Sequence, residues 1–259
     1  QNNMESDAII RCDPAGHALF QSTVSYQRRT NMPGDSSGSK AMLKVLGRAT
    51  SSNVQKVMWA LEELDIAYER EDLGGAFGGL DTPEYIALNP NKVIPTLVDG
   101  DQVIWESNTI VRYIAAKHDD GGLWPSDPAA RAQADKWMDW QLSTLLMPWI
   151  NVFFGVYRTP AQYQDADKNA AAIEKLGGIY GLLDRHLEGR AYVAGDRLTM
   201  ADIPVGMSLW RYYQMDIARP SMPNIERWYA SLQERPAYRN TVMTDFSSLK
   251  DTLIPGQGH

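Results

Sequence analysis

The sequence predicts an α/β domain followed by an all-α domain, and three observations carry that expectation. From Met42 to about Asp119, short apolar strand patterns alternate with amphipathic helix patterns. The prolines of Leu123-Trp-Pro-Ser-Asp-Pro128 mark a linker, and beyond Pro128 the apolar spacing is helical throughout. The expected parts are an extension over 1–41, an α/β domain over 42–119 and an all-helical domain over 128–246.

Taken in order, Leu43, Val45 and Leu46 make a short buried strand that ends at Gly47. A Thr50-Ser-Ser-Asn53 turn follows, and Val54, Val57, Met58, Leu61 and Leu64 then share one helical face. Residues 67–73 suit a second strand, and Gly74 to Gly79 a loop. Pro95 to Val98 and Val103 to Trp105 flank Asp99-Gly100-Asp101, a hairpin signal. Ser107 opens a helix whose inner face is Ile110, Val111 and Ile114. The order β-α-β, irregular helix, β-β-α fits a thioredoxin-like domain. In the second half, helices are expected over about 128–155, 163–187, 201–217 and 223–234. Gly189 and Gly195 bracket a turn, and Pro220, Pro223 and Pro236 punctuate the end. There is no internal repeat.

Residues 1–41 differ from the rest. Their apolar periodicity is weak, and they end in the turn-rich run Asn31-Met-Pro-Gly-Asp-Ser-Ser-Gly-Ser39. They read as a mobile extension ahead of Met42, which suits a natural start; the alternative is an arm packed on the body or on a partner.

Composition narrows the function classes. The 259 residues carry a formal net charge of -7, without a Lys/Arg cluster, so neither nucleic acid nor an anionic membrane is an expected partner. The longest apolar stretch, Leu145 to Val156, is broken by Pro148 and Asn151 and is too short to span a bilayer. No basic segment leads into an apolar core at the start, so no secretory signal is expected. The single cysteine, Cys12, fits a reducing, cytoplasmic setting. His17, His118, His186 and His259 lie far apart, without metal-ligand spacing, and no metal site is expected.

Three stretches could carry chemistry. Gly47-Arg-Ala-Thr-Ser-Ser-Asn53 places hydroxyls and an amide at the start of the first helix, where unpaired N–H groups favour an anion such as a thiolate. Alternatively Ser51, Ser52 or Asn53 only caps that helix. In Asn89-Pro-Asn-Lys-Val-Ile-Pro-Thr-Leu97, a cis Ile94–Pro95 bond would turn the backbone at Val93 outward as an edge for an extended peptide. A trans proline at a strand start reads equally well. Glu106 and Ser107, in Trp105-Glu-Ser-Asn-Thr-Ile110, could hold an α-amino and α-carboxylate pair, or again serve as a cap.

In this order and spacing, over about 42–240, the stretches resemble the cytosolic glutathione S-transferase family, of the serine-activated, theta-like bacterial type. Gly195-Asp-Arg-Leu-Thr-Met-Ala-Asp202 adds to the resemblance as a buried capping box, with Thr199 as cap and Asp202 returning a bond to the Thr199 N–H.

The resemblance implies glutathione as co-substrate, no metal, and a homodimer. It implies Ser51 as the hydroxyl on the glutathione sulfur, with Ser52 and Thr50 as rivals one residue away and Asn53 orienting the sulfur or capping. Val93, Ile94 and Pro95 would present backbone to the cysteinyl residue, with Ile94, directly before the proline, the stronger candidate. Lys92 would meet the glycyl carboxylate, and Glu106 and Ser107 the γ-glutamyl end. The bound thiolate would attack a small, mostly apolar electrophile beside Trp137, Trp140, Met147, Trp149, Phe153, Phe154 and Tyr157, several of which also suit core positions. Two rival functions stay open: a glutathione-dependent disulfide reductase, and a non-catalytic binding or regulatory protein of the same fold. Dehalogenation or isomerisation of a metabolite would use the same thiolate.

Overall fold

The computed structural model describes residues 42–119 and 121–254, together with the backbone of a two-strand antiparallel ladder, β1 (Arg11–Cys12) and β2 (Ala18–Leu19). Apart from that ladder, the extension expected over 1–41 lies outside the described residues.

The first half is a thioredoxin-like domain. Its elements are β3 (Leu43–Leu46), α1 (Ser52–Glu63), β4 (Tyr68–Glu71), α2 (Pro83–Leu88), β5 (Thr96–Asp99), β6 (Gln102–Trp105) and α3 (Ser107–His118). The four strands run in the order β4-β3-β5-β6. β3 pairs parallel with β4 and antiparallel with β5, and β5 with β6. A parallel pair needs a crossover, and α1 supplies it. Gly100, at φ +59°, turns the expected hairpin, whose strands reach one residue closer to the turn than the sequence suggests.

α1 is buried on every side from Val54 to Leu61. One face meets α3 and the sheet, while the other packs on the helical half, against helices α7 (Asp202–Gln214) and α9 (Pro236–Thr241). Trp59, fully buried, sets its ring 4.8 Å from Tyr238 in an edge-on contact. Gly206 of α7 makes room for it: a Cβ there would meet the Trp59 ring at 3.1 Å and Leu232 at 2.8 Å. Glu63, at the end of α1, takes the Trp59 indole N–H at 3.0 Å and pairs with Arg235.

The second half is helical. Besides α7 and α9 it contains α4 (Pro128–Trp140), α5 (Leu146–Val152), α6 (Ala166–His186) and α8 (Pro223–Gln233). The helix expected over 128–155 is a continuous helical run to Arg158, but two π-helical segments, Gln141–Leu145 and Phe153–Arg158, interrupt its α geometry. The first lies just ahead of buried Pro148, which has no N–H to continue the α ladder. Pro236 is the first residue of α9, where the missing N–H costs nothing. The capping box forms in part. Asp202 accepts the Thr199 N–H at 2.8 Å, and its other oxygen accepts the Val193 N–H at 2.8 Å. The Thr199 hydroxyl, however, accepts from Ala201 N–H. No helix of the described residues is long and apolar enough to cross a membrane.

Candidate active site

The loop from β3 to α1 begins at Gly47, whose φ of +146° and close neighbours both demand glycine. A Cβ there would lie 2.6 Å from Val54 and 3.0 Å from Ile94. The loop therefore touches both the helix start and the proline turn. Ser51 is the N-cap of α1, and its hydroxyl oxygen accepts the Val54 N–H at 3.5 Å. That is a long bond, so the oxygen is only loosely committed. The first turn of α1 carries no acidic side chain to offset its positive end.

The proline turn is built from beneath. Asn89, fully buried, donates to the Val93 carbonyl at 2.8 Å and to Thr96 Oγ1 at 3.2 Å, and its own oxygen accepts the Asn91 N–H. Tyr85 of α2 donates to the same Val93 carbonyl at 2.6 Å. The Ile94–Pro95 bond is cis, the first of the two readings of this stretch. The Val93 carbonyl is thus engaged twice internally, by the Tyr85 hydroxyl and the Asn89 amide. Ile94 is the residue directly ahead of the proline. Lys92 is exposed and its Nζ sits 3.1 Å from Asp81.

At the start of α3, Glu106 is exposed and lies at φ +69°, a conformation that non-glycine residues seldom adopt. Ser107, nearly buried, does not cap its own helix. Its hydroxyl donates to Asn53 Oδ1 at 3.3 Å and accepts from Lys56 Nζ at 3.4 Å. This joins the first and third stretches directly. Lys56, fully buried, also donates to Asn108 Oδ1 and Gln141 Oε1, each at 3.2 Å. Burial pushes its pKa down to about 7 against the opposing pull of Glu106.

The helical half contributes Arg211 from α7. It is buried, and its Nη2 donates to the Thr50 carbonyl at 2.7 Å, fixing the segment ahead of Ser51. Its guanidinium lies over the rings of Phe153 and Phe246, 5.1 and 5.4 Å from their centroids. Of the aromatic residues expected near the second substrate, Trp137, Trp149 and Phe153 are core. Trp140, Phe154 and Tyr157 are half-buried, and Met147 is exposed. Phe154 and Tyr157 ride on the second π-helical segment, with Tyr157 stacked on Phe153 at 5.4 Å.

Ser51, Asn53, Ile94 and Ser107 are thus tied together through Gly47, α1 and the Asn53–Ser107 bond, with Ser52 in the first turn of α1; Lys92 is held instead by Asp81. Sequence reasoning missed Lys56, Asn89, Tyr85 and Arg211. Lys56 left one signal, a cation one helical turn after Asn53 inside an apolar run.

Residues 41–116 match the model of the glutathione S-transferase N-terminal domain, and 144–236 that of the C-terminal domain. The chain belongs to the glutathione S-transferase family. It is 37% identical over 208 residues to glutathione S-transferase GstB of Escherichia coli, covering 80% of this chain and all of that protein. A theta class glutathione S-transferase from Xanthomonas axonopodis pv. citri, solved with glutathione bound, is 46% identical, with a TM-score of 0.76 over 78% of this chain and 98% of that one. The Bombyx mori glutathione transferase BmGSTD1 is 27% identical, with a TM-score of 0.73 over 82% of this chain and 98% of that one.

Proposed function

We propose that this transferase binds glutathione as co-substrate with its sulfur at the start of α1, ionises it there, and directs the thiolate at a small electrophile held against Phe154 and Tyr157. The observation that carries this reading is the Asn53–Ser107 bond, which brings the activating segment and the γ-glutamyl segment into one site. Ser51 is the assigned hydroxyl donor to the sulfur. Ser107 and Glu106 receive the α-carboxylate and α-amine of the γ-glutamyl end, and the Ile94 backbone faces the cysteinyl residue. The only cysteine in the sequence is Cys12, so no thiol of 42–254 competes as nucleophile. In keeping with the family, the working form is a cytoplasmic homodimer.

The magnitudes suit the assignment. A free thiol has a pKa of about 8.5, and lowering it by about two units takes about 2.7 kcal/mol. One hydrogen bond to a charged sulfur contributes about 1.5–3 kcal/mol, and a helix end about 0.3–1 kcal/mol more. The test is the thiolate absorbance of bound glutathione against pH, in the native protein and in Ser51→Ala. A depressed thiol pKa that climbs by about one to two units in the variant supports the assignment. A depressed pKa unmoved by the substitution transfers the role to Ser52, Thr50 or Asn53.

A further inference from the structure

Arg211 has company. Arg48 lies in the same loop as Thr50, the residue whose carbonyl Arg211 holds, and its side chain rests against Gly75. Arg158 lies at the end of the second π-helical segment, with its guanidinium 4.7 Å from the centroid of Phe154. Phe154 in turn is 6.2 Å from Phe153, the ring beneath Arg211. Arg211 and Arg158 therefore flank one aromatic pair, Phe153 and Phe154, and Arg48 is near enough for both to feel its charge. They also feel one another. Burial first, and then the charges of Arg48 and Arg158, together lower the pKa of Arg211 to about 9. Arg158 is lowered by burial and then by Arg48.

Among the described residues, none of the three forms an ion pair. Other arginines do: Arg70 with Asp72, Arg112 with Asp135 and Asp139, and Arg235 with Glu63. Among the described residues, Arg158 donates to the Thr252 hydroxyl alone, at 3.2 Å from Nε and Nη2. Arg211 is 3% exposed, and its buried Nε has no partner. The acids that register nearby are Asp245 and Asp251, both exposed and both felt at Tyr157. Three cations that form no ion pair among the described residues, in a chain of net charge -7, repel each other in the free protein, and an anion relieves that repulsion.

We propose that the second-substrate site selects an electrophile bearing a carboxylate, with Arg48 and Arg158 as its direct partners and Arg211 as the buried positioning charge behind them. This deepens the function proposed above, rests on it, and departs from the mostly apolar electrophile that the sequence suggested. The carboxylate lies between the two half-buried guanidiniums while the carbon skeleton packs on Phe154 and Tyr157. The glutathione thiolate forms a C–S bond at the electrophilic carbon. The leaving group departs with the electron pair of the bond it loses, and the thiol proton goes to solvent.

Iodoacetate and iodoacetamide test the charge directly, since they offer the same carbon and the same iodide and differ in one anionic group. Glutathione-dependent iodide release is measured for each, and kcat/KM is divided by the rate constant of free glutathione thiolate with the same reagent. The expected enhancement is about tenfold or more greater for iodoacetate, and Arg158→Gln or Arg48→Gln reduces that preference about tenfold. Glutathione affinity, measured in each variant, reports folding and the co-substrate site together. Equal enhancement for the two reagents, with glutathione bound and its thiol pKa depressed, overturns the inference and leaves the transferase reading standing. A preference unchanged in both variants also overturns it, and so does an Arg48→Gln effect confined to glutathione affinity. Absence of glutathione binding in the native protein removes the parent reading and the inference with it.

Discussion

Lys56→Met removes an ammonium that is fully buried and hydrogen-bonded to the neutral oxygens of Ser107, Asn108 and Gln141. Its absolute effect on stability mixes two opposing contributions. The substitution relieves the cost of burying a charge, but it leaves Asn108 Oδ1 without its donor, a loss of about 1–3 kcal/mol. The pH dependence separates them. In the unfolded chain the lysine titrates near 10.5, and in the folded protein burial lowers that to about 7. Between those values the unfolded state holds the proton and the folded state releases it, so native stability rises with pH. The rise begins near pH 7 and is complete near pH 10.5; below about pH 7 both states are protonated and the full penalty is felt. At about 1.4 kcal/mol per pH unit, native protein gains between about 1 and 2 kcal/mol from pH 7 to pH 8.5 through this one group. Urea unfolding at those two pH values, in native and Lys56→Met protein, reads the difference. The native protein should gain that much more than the variant. Parallel behaviour would mean that Lys56 keeps its proton throughout the range, and that its three oxygen partners solvate the charge well enough to cancel burial.

Ser107→Ala should weaken glutathione binding about tenfold while changing kcat much less, because the proposed site gives this hydroxyl the γ-glutamyl end and not the sulfur; titration calorimetry and steady-state kinetics check both halves, and unchanged affinity refutes the assignment. Asp202→Asn should cost about 2–4 kcal/mol in urea unfolding. The carboxylate accepts from Val193 N–H, Thr199 N–H and the Thr199 hydroxyl, and an amide would turn a buried N–H toward one of those donors. A shift below about 0.5 kcal/mol would show that the box contributes little.

What was legible followed from local pattern. The β3–α1 and hairpin elements could be read because periodicity and turn chemistry act over a few residues, as Asp99-Gly100-Asp101 shows. The π-helical segments could not. The bare sequence shows Pro148 as an interruption, but whether a helix breaks or absorbs a missing N–H depends on what packs around it. At Ser51 and Ser107 the sequence offered the same pair of readings, cap or ligand group. The outcomes divide: Ser51 does cap α1, if loosely, whereas Ser107 turns from its own helix to Asn53 and Lys56. The difference lies 54 residues away along the chain, beyond the reach of any local rule.

The charged groups were the least legible, for a reason that also explains their interest. Lys56 and Arg211 sit inside apolar runs, where a cation ordinarily extends its stem along the surface and keeps its head in water. Both are instead buried, because α1 is covered on one side by α3 and the sheet and on the other by α7 and α9. A cation enclosed in that way carries a desolvation cost of several kcal/mol that hydrophobic side chains of similar volume would avoid. Lys56 accepts it beneath Ser107 and Arg211 beneath Thr50, the two ends of the proposed glutathione site. A fold selected for stability alone would place Leu or Met there. On the functions proposed above, anions account for both: the γ-glutamyl carboxylate at Ser107 for Lys56, and the carboxylate of the electrophile for Arg211.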